Sequence, residues 1–254
     1  ALITSRYYLA GTGTQNSSLA FGGYAPGAST CTEEYDGTSW GIRNAMINAT
    51  AVRSGLGDVN AALAIGGLQS TTQAEEWNGT SWISSNNLPT AVYGAAASGV
   101  QSAGFAAGGA PGCSATQEYT KNNIPPYTTC IWTSGALMNT SRIFLAGAGI
   151  QNAALAFGGS YKSCTEEYNG STWTTSGALA AVRYQAAGGG TQNAAIATGG
   201  KSPSQTNATE EYNGTSWSPG GNLITARQEL AFAGTQNAGL AFSGYVNAVS
   251  ACTE

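Results

Sequence analysis

The line EEYDGTSW at residues 33–40 returns as EEWNGTSW at 75–82, EEYNGSTW at 166–173 and EEYNGTSW at 210–217. A chain that repeats itself in this way builds its core from copies of one supersecondary unit. Double glycines keep the same beat: LAFGG ends at Gly23, LAIGG at Gly67, GFAAGG at Gly109, LAFGG at Gly159 and AIATGG at Gly200, with a degenerate LAFSG at Gly244. The steps between them are 44, 42, 50, 41 and 44 residues, and Trp40, Trp82, Trp132, Trp173 and Trp217 step by 42, 50, 41 and 44. No segment carries a helical period.

Each period holds four short extended segments, YLAGTGTQ, SSLAFGG, STCTEEY and TSWGI in the first copy. The last two meet at Asp36-Gly37, and Asn78-Gly79, Asn169-Gly170 and Asn213-Gly214 take that place elsewhere. Asp-Gly and Asn-Gly suit a two-residue hairpin turn, which requires φ > 0 at both central residues. EEYNGTSW therefore reads as strand, turn, strand. Repeated units of four antiparallel strands at this period read as radial blades. The order Arg, small-residue strand, apolar run ending in Gly-Gly, Tyr, Trp resembles the Kelch repeat. Gly22, Gly23, Tyr35 and Trp40 carry it in the first copy, and Gly158, Gly159, Tyr168 and Trp173 in the fourth. The resemblance implies an all-β fold: a six-bladed Kelch-like β-propeller with four antiparallel strands per blade. It spans 1–254 as a single domain, with repeats at about 1–40, 41–82, 83–132, 133–173, 174–217 and 218–254. Copy two has Trp77 for the Tyr. Copy three runs EYTKNNIPPYTTCIW, where a longer loop is expected to displace the tight turn. Copy six reaches Glu254 before a Tyr or Trp, so its blade is expected to lack the outer strand, or to be completed by residues beyond this segment or from a neighbour.

First strands such as LAGTGTQ, LAGAGIQ and AAGGGTQ are small-residue strands, as innermost strands crowded at an axis must be. The tryptophans fall on outer strands and can fill the widening wedge between blades. Ten of the thirteen acids sit in the repeated third strand, as Glu33-Glu34, Glu75-Glu76, Glu166-Glu167, Glu210-Glu211, Glu118 and Glu254. Paired acids invite an acid–base reading, but neighbours on a strand point to opposite faces, so Glu33 and Glu34 cannot form one dyad. Arg6, Arg142 and Arg183 each lie 16 residues before the first Gly of their pair, and Arg227 16 before Ser243, which holds that place in the degenerate copy; Arg53 lies 13 before, and copy three has Val92. These are expected to form one structural Arg–Glu pair per blade.

Composition narrows the function. Charged residues make up 9% of the chain, net charge is -4, and histidine is absent. An acidic chain with nine basic residues has no footprint for nucleic acid, and no apolar run approaches the roughly 20 residues that span a bilayer. Without histidine the usual general base and metal ligand are missing. Copper oxidases share the fold family the resemblance names, and they need histidine ligands. No metal, cofactor or catalytic residue is expected, and the chain reads as a non-enzyme. Cys31, Cys113, Cys130, Cys164 and Cys252 show no zinc spacing and read as half-buried thiols. Asn78, Asn169 and Asn213 begin N-G-[ST] sequons, which turn geometry already explains.

On a propeller, recognition belongs to loops. The TQN and NG turns are nearly alike in every copy, whereas the loops after Gly-Gly differ: YAPGAST, LQSTTQ, APGCSAT, SYKSC, KSPSQTN and YVNAVSA. Tyr24, Pro26, Tyr161, Lys162, Lys201 and Tyr245 are the candidate binding residues there, since tyrosine among small polar residues suits adaptable recognition. The insert at 121–129 offers Ile124, Pro125, Pro126 and Tyr127 as a contact for a neighbouring chain. The expected role is a structural or recognition module of an extracellular or virion appendage, such as a phage tail fibre or capsid-associated protein, binding a protein or glycan on a host surface, with virion proteins or neighbouring copies as further partners. A carbohydrate-binding lectin and an intracellular Kelch adaptor are the alternatives.

Overall fold

The structure is a computed structural model describing residues 1–69, 71–111, 114–124 and 127–254. Five four-stranded antiparallel sheets follow one another along the chain. The first runs Ala10–Thr14, Ser17–Phe21, Thr32–Tyr35 and Trp40–Arg43, each strand paired with the next in order. Its register sets Leu19 opposite Glu34, Ala20 opposite Glu33 and Tyr35 opposite Trp40 across the Asp36-Gly37 turn. In that turn Asp36 accepts from the backbone N–H groups of Thr38 and Ser39, and Asn78, Asn169 and Asn213 do the same in later copies. The second, fourth and fifth sheets repeat this plan from Ser54–Gly57, Ala146–Ile150 and Ala187–Thr191; the third starts at Ala96–Val100.

Each first strand packs against those of the sheets before and after it. Ala231–Thr235 touches both Ala187–Thr191 and Ala10–Thr14, so the ring closes. Closure is drawn in backbone hydrogen bonds. Val52 N–H donates to Tyr8 C=O, Gly94 to Val52, Phe144 to Gly94, Gln185 to Phe144, Glu229 to Gln185, and Tyr8 back to Glu229, at 2.7–3.4 Å. All six residues are left-handed, with φ between 53° and 64°. For the five that are not glycine this backbone costs of order 1–3 kcal/mol each. The ring of bonds and the packing around it hold them there.

Two expectations need correction. There are five four-stranded blades, not six. The sixth sector is a two-stranded sheet, Ala231–Thr235 with Ala238–Phe242. Residues 252–254 meet this sheet through a bridge from Thr253 to Phe242, a 2.7 Å bond from Ser243 N–H to Cys252 C=O and a reciprocal pair of 2.8 Å bonds between Ala241 and Glu254, and among the described residues they do not make a third strand. The insert in copy three is also not a loop in place of a hairpin. Thr116–Ile124 and Tyr127–Ser134 form one long ladder that continues to the Ile124–Tyr127 pair. Pro125 and Pro126 lie outside the described residues, as does Cys113, and the side chains of Ile124 and Tyr127 are likewise not described.

The seams between blades explain the repeated line. Each Trp leans on the blade before it: Trp82 meets Phe21 at 4.9 Å, Trp40 meets Phe242 at 4.9 Å and Trp217 meets Phe157 at 4.8 Å between ring centroids. Its indole N–H donates to the Thr that opens the preceding blade's third strand, in the pairs Trp82–Thr32, Trp173–Thr116, Trp217–Thr165 and Trp40–Thr253, at 2.9–3.2 Å. Trp132 is the exception. Ala74 stands where the others have Thr, and among the described residues the buried Trp132 Nε1 has no acceptor.

The two glutamates part company as the strand geometry requires. The first is buried with the repeat arginine of its own copy: Arg6–Glu33 at 3.0 Å, Arg53–Glu75 at 3.0 Å, Arg142–Glu166 at 2.9 Å and Arg183–Glu210 at 2.7 Å, with Arg227–Glu254 closing the series. Arg6 also donates to the carbonyls of Gly22 and Cys31, stitching the double-glycine turn to the third strand. At Gly23, φ is +101°, and an added Cβ would sit 3.0 Å from Leu9 Cβ and 3.1 Å from Tyr7 O, so only glycine fits. Copy three has lost both charges together: with Val92 at the arginine position, Gln117 replaces glutamate and accepts from Thr90 N–H. The second glutamate accepts from the tyrosine of the next blade, in the pairs Tyr119–Glu76, Tyr168–Glu118 and Tyr212–Glu167, each at 2.5 Å. Where Trp77 replaces that tyrosine, Glu34 turns to Arg43 at 2.8 Å instead.

Candidate functional site: the axial mouth

The repeat accounts for ten acids, and Asp36 and Asp58 accept from backbone N–H groups in tight turns. Glu229 remains. It stands in the left-handed ring on the axis, and so do Tyr8, Val52, Phe144 and Gln185. These residues, with Arg53, Ser54, Gly94 and Leu230 among others, line a cavity of about 100 Å³.

A short chain of polar contacts crosses the mouth. Gln185 Nε2 donates to Tyr8 Oη at 2.5 Å, the Tyr8 phenol faces the Glu229 carboxylate, and Gln228 Nε2 donates to Glu229 Oε1 at 2.6 Å. Burial raises the Glu229 carboxyl above the ordinary carboxylate value, against the opposing pull of Gln228, Tyr8 and Lys201. Burial, and then the Glu229 charge, push the Tyr8 phenol well above its usual value, so it stays a neutral donor. Gln228 is only 9% exposed, and among the described residues its Oε1 has no donor. A buried carbonyl oxygen without a donor costs about 1–3 kcal/mol, which a ligand hydroxyl or N–H would relieve.

Aromatic rings surround this polar centre. Tyr8 stacks on Phe144 at 5.8 Å, Tyr93 meets Phe144 edge-on at 6.1 Å, and Tyr7 touches Tyr8, Tyr24 and Tyr245 at 5.4–5.8 Å. Tyr161 and Tyr184 lie 4.1 Å apart with their hydroxyls hydrogen-bonded at 2.6 Å; burial and that bond raise Tyr184 to about 12. The far side of the axis is lined mostly by glycines and small residues, with Leu56 and Phe232 as the large ones. The Phe232 ring fits because Gly189 and Gly239 have no Cβ; one added there would fall 2.7 and 2.1 Å from it.

Of the sequence candidates, Tyr24, Tyr161 and Tyr245 join the aromatic rim. Lys201 pairs with Tyr184 through the backbone and acts on Glu229. Pro26 is exposed on its loop, and Lys162 lines a separate outer groove with Thr140, Ser163, Cys164 and Val182, so neither is brought to the mouth. Sequence reasoning missed Tyr7, Tyr8, Tyr93, Phe144, Tyr184, Gln185, Gln228 and Glu229. Their signal lies in the two residues that follow the position 16 before each double glycine, which is Arg6, Thr50, Val92, Arg142, Arg183 and Arg227; they read Tyr-Tyr, Ala-Val, Tyr-Gly, Ile-Phe, Tyr-Gln and Gln-Glu around the ring. Among the described residues no three His, Cys, Asp or Glu side chains cluster so as to hold a metal ion.

A closed ring of antiparallel blades with its variable residues gathered on one axial mouth defines a β-propeller. The solved structure of YjhT has the same shape: it superposes with a TM-score of 0.78 over 100% of this chain and 94% of that one, at 10% sequence identity. Likeness at that identity speaks to the fold alone. No protein-family model and no curated protein sequence matches the chain, so the Kelch-like resemblance rests on the repeat residues themselves.

Proposed function

We propose that this propeller is a non-enzymatic recognition module of an extracellular or virion surface, and that its axial mouth binds a carbohydrate. The observation that carries this reading is the convergence of Tyr7, Tyr8, Phe144 and Tyr184 on a carboxylate and two amides, one of which has a buried carbonyl oxygen without a donor. Aromatic faces pack on the C–H faces of a sugar ring, and carboxylate and amide oxygens take its hydroxyls. Glycoside hydrolysis needs a second carboxylate about 5–10 Å from the first. Among the residues that line the mouth Glu229 is the one acid, which favours binding over turnover. The six copies present different residues at the mouth, so the reading is one ligand per propeller.

A glycan array followed by calorimetric titration of the best hit tests this. Stoichiometry of one, with at least tenfold weaker binding for Tyr184→Ala, is the expected result. Absence of any glycan ligand, or hydrolysis of the one that binds, rejects it. Capture of a surface protein insensitive to sugars would favour the partner-protein reading.

A further inference from the structure

Glu229 meets the axis without a cation. The seven ion pairs among the described residues engage seven of the nine basic side chains, none of them with Glu229. Of the two left over, Lys162 lines the outer groove, and Lys201 acts on Glu229 from beyond ion-pair distance. Arg53 also borders the axial cavity, but its guanidinium is held by Glu75 at 3.0 Å. The other titratable groups that face Glu229 are the phenols of Tyr7, Tyr8 and Tyr184, which bring no positive charge. Burial therefore disfavours the Glu229 charge with no paired cation to balance it. The lining around this charge is sorted by sector. Along the hydrogen-bonded ring Gln185, Glu229 and Tyr8 are consecutive, and Val52, Gly94 and Phe144 complete the circle. Phe144 stacks with Tyr8 at 5.8 Å, so aromatic surface adjoins the carboxylate. The first strands of all six sectors touch in a closed circle around this centre.

We infer that the axial mouth is an ammonium-binding site, with Glu229 as the counter-charge and Tyr8 and Phe144 as the aromatic wall. A carboxylate beside aromatic faces holds an ammonium group from two sides, by a charge-assisted hydrogen bond and by cation–π attraction. A neutral hydroxyl would donate to Glu229 but leave its charge unbalanced. Taken with the carbohydrate reading, on which this step rests, the ligand is an amino sugar: its protonated amine meets Glu229 and its ring C–H groups lie against Phe144 and Tyr8. The ammonium site itself does not need that reading.

The test titrates the 254-residue protein at neutral pH with glucosamine and galactosamine, their N-acetyl forms, the parent hexoses and tetramethylammonium, followed by the amide chemical shifts of the ring residues. An amino sugar is expected to bind roughly tenfold or more tightly than its neutral counterparts, the worth of one charge-assisted contact. Glu229→Gln removes that preference. Lys201→Met, which takes away the one cation acting on the carboxylate, keeps or strengthens it. Tetramethylammonium binding that Glu229→Gln abolishes, with no sugar bound, supports the ammonium site and rejects the carbohydrate reading. Sugars that bind with no gain from the free amine, or with a preference for the N-acetyl form, overturn the inference and leave the carbohydrate reading standing. A preference that survives Glu229→Gln, or no response to any of the cations, also overturns it.

Discussion

Ala74→Thr should stabilise the protein, although the native residue is fully packed. Trp132 Nε1 is buried with no acceptor, and at four other seams the residue equivalent to Ala74 is a threonine that accepts the indole N–H at 2.9–3.2 Å. An orphaned buried donor costs about 1–3 kcal/mol, and a formed hydrogen bond returns a net 0.5–1.5 kcal/mol. Against this stands overpacking at a site only 3% exposed, which costs about 1–3 kcal/mol when a cavity is truly full. The matching threonines decide between the two: Thr32, Thr116 and Thr165 sit on the same strand in the same register and are 1% exposed or less, so the seam has room for the side chain. The expected gain is about 1–2 kcal/mol, or roughly 2–6 °C in Tm for a chain of this size. Calorimetric melts of the native protein, Ala74→Thr, Trp132→Phe and the double variant form a cycle. The gain must vanish in the Trp132→Phe background. An unchanged or lower Tm for Ala74→Thr, or a gain that survives the loss of the indole, would refute the reasoning.

Arg183→Ala leaves Glu210 buried and unpaired and should cost roughly 3–5 kcal/mol, read as a lower denaturation midpoint, with ligand binding at the axis unchanged. Glu229 has a folded pKa above its unfolded one, so its contribution to stability is most favourable below the ordinary carboxylate value and is lost as pH rises through the raised one. Glu229→Gln should therefore raise Tm at pH 7, lose that gain near pH 4, and weaken the proposed ligand; a Tm increment independent of pH would count against the buried charge. Burial, and then the glutamate each one bonds, raise Tyr168 and Tyr212 to about 12. The stability they supply is whole below pH 10 and falls as pH climbs toward 12, so Tyr212→Phe should flatten the alkaline limb of a stability–pH curve, and an unaltered limb would place the sensitivity elsewhere.

The blades were readable residue by residue because what makes them is local. Asn-Gly dictates a turn from four consecutive residues, alternation sends Glu33 and Glu34 to opposite faces, and small residues in first strands anticipate an axis. Trp77, Val92 and Ala74 are visible in the sequence as departures, but the sequence does not say what they leave unmet. Their meaning lies in partners one blade away: Glu34 loses a tyrosine and takes Arg43, Gln117 loses its charge with Val92, and Trp132 loses its acceptor. Comparison of the copies could have found the axial mouth, had they been aligned by distance from the double glycine and the residues 15 and 14 before it compared. They fall at the seam between linker and strand, where neither hairpin nor double-glycine signals reach.

By itself the sequence determined the unit: its four strands, its turns and the faces of its side chains, all set by neighbours within one period. Only the tertiary structure decided how the units meet. The hydrogen-bonded ring that places Tyr8, Gln185 and Glu229 at one mouth joins residues from blades far apart in the chain. The division of the circle among the described residues into five four-stranded blades and one two-stranded sheet is likewise seen only in the folded ring. Both are properties of closure, and no local pattern encodes the closing of a circle.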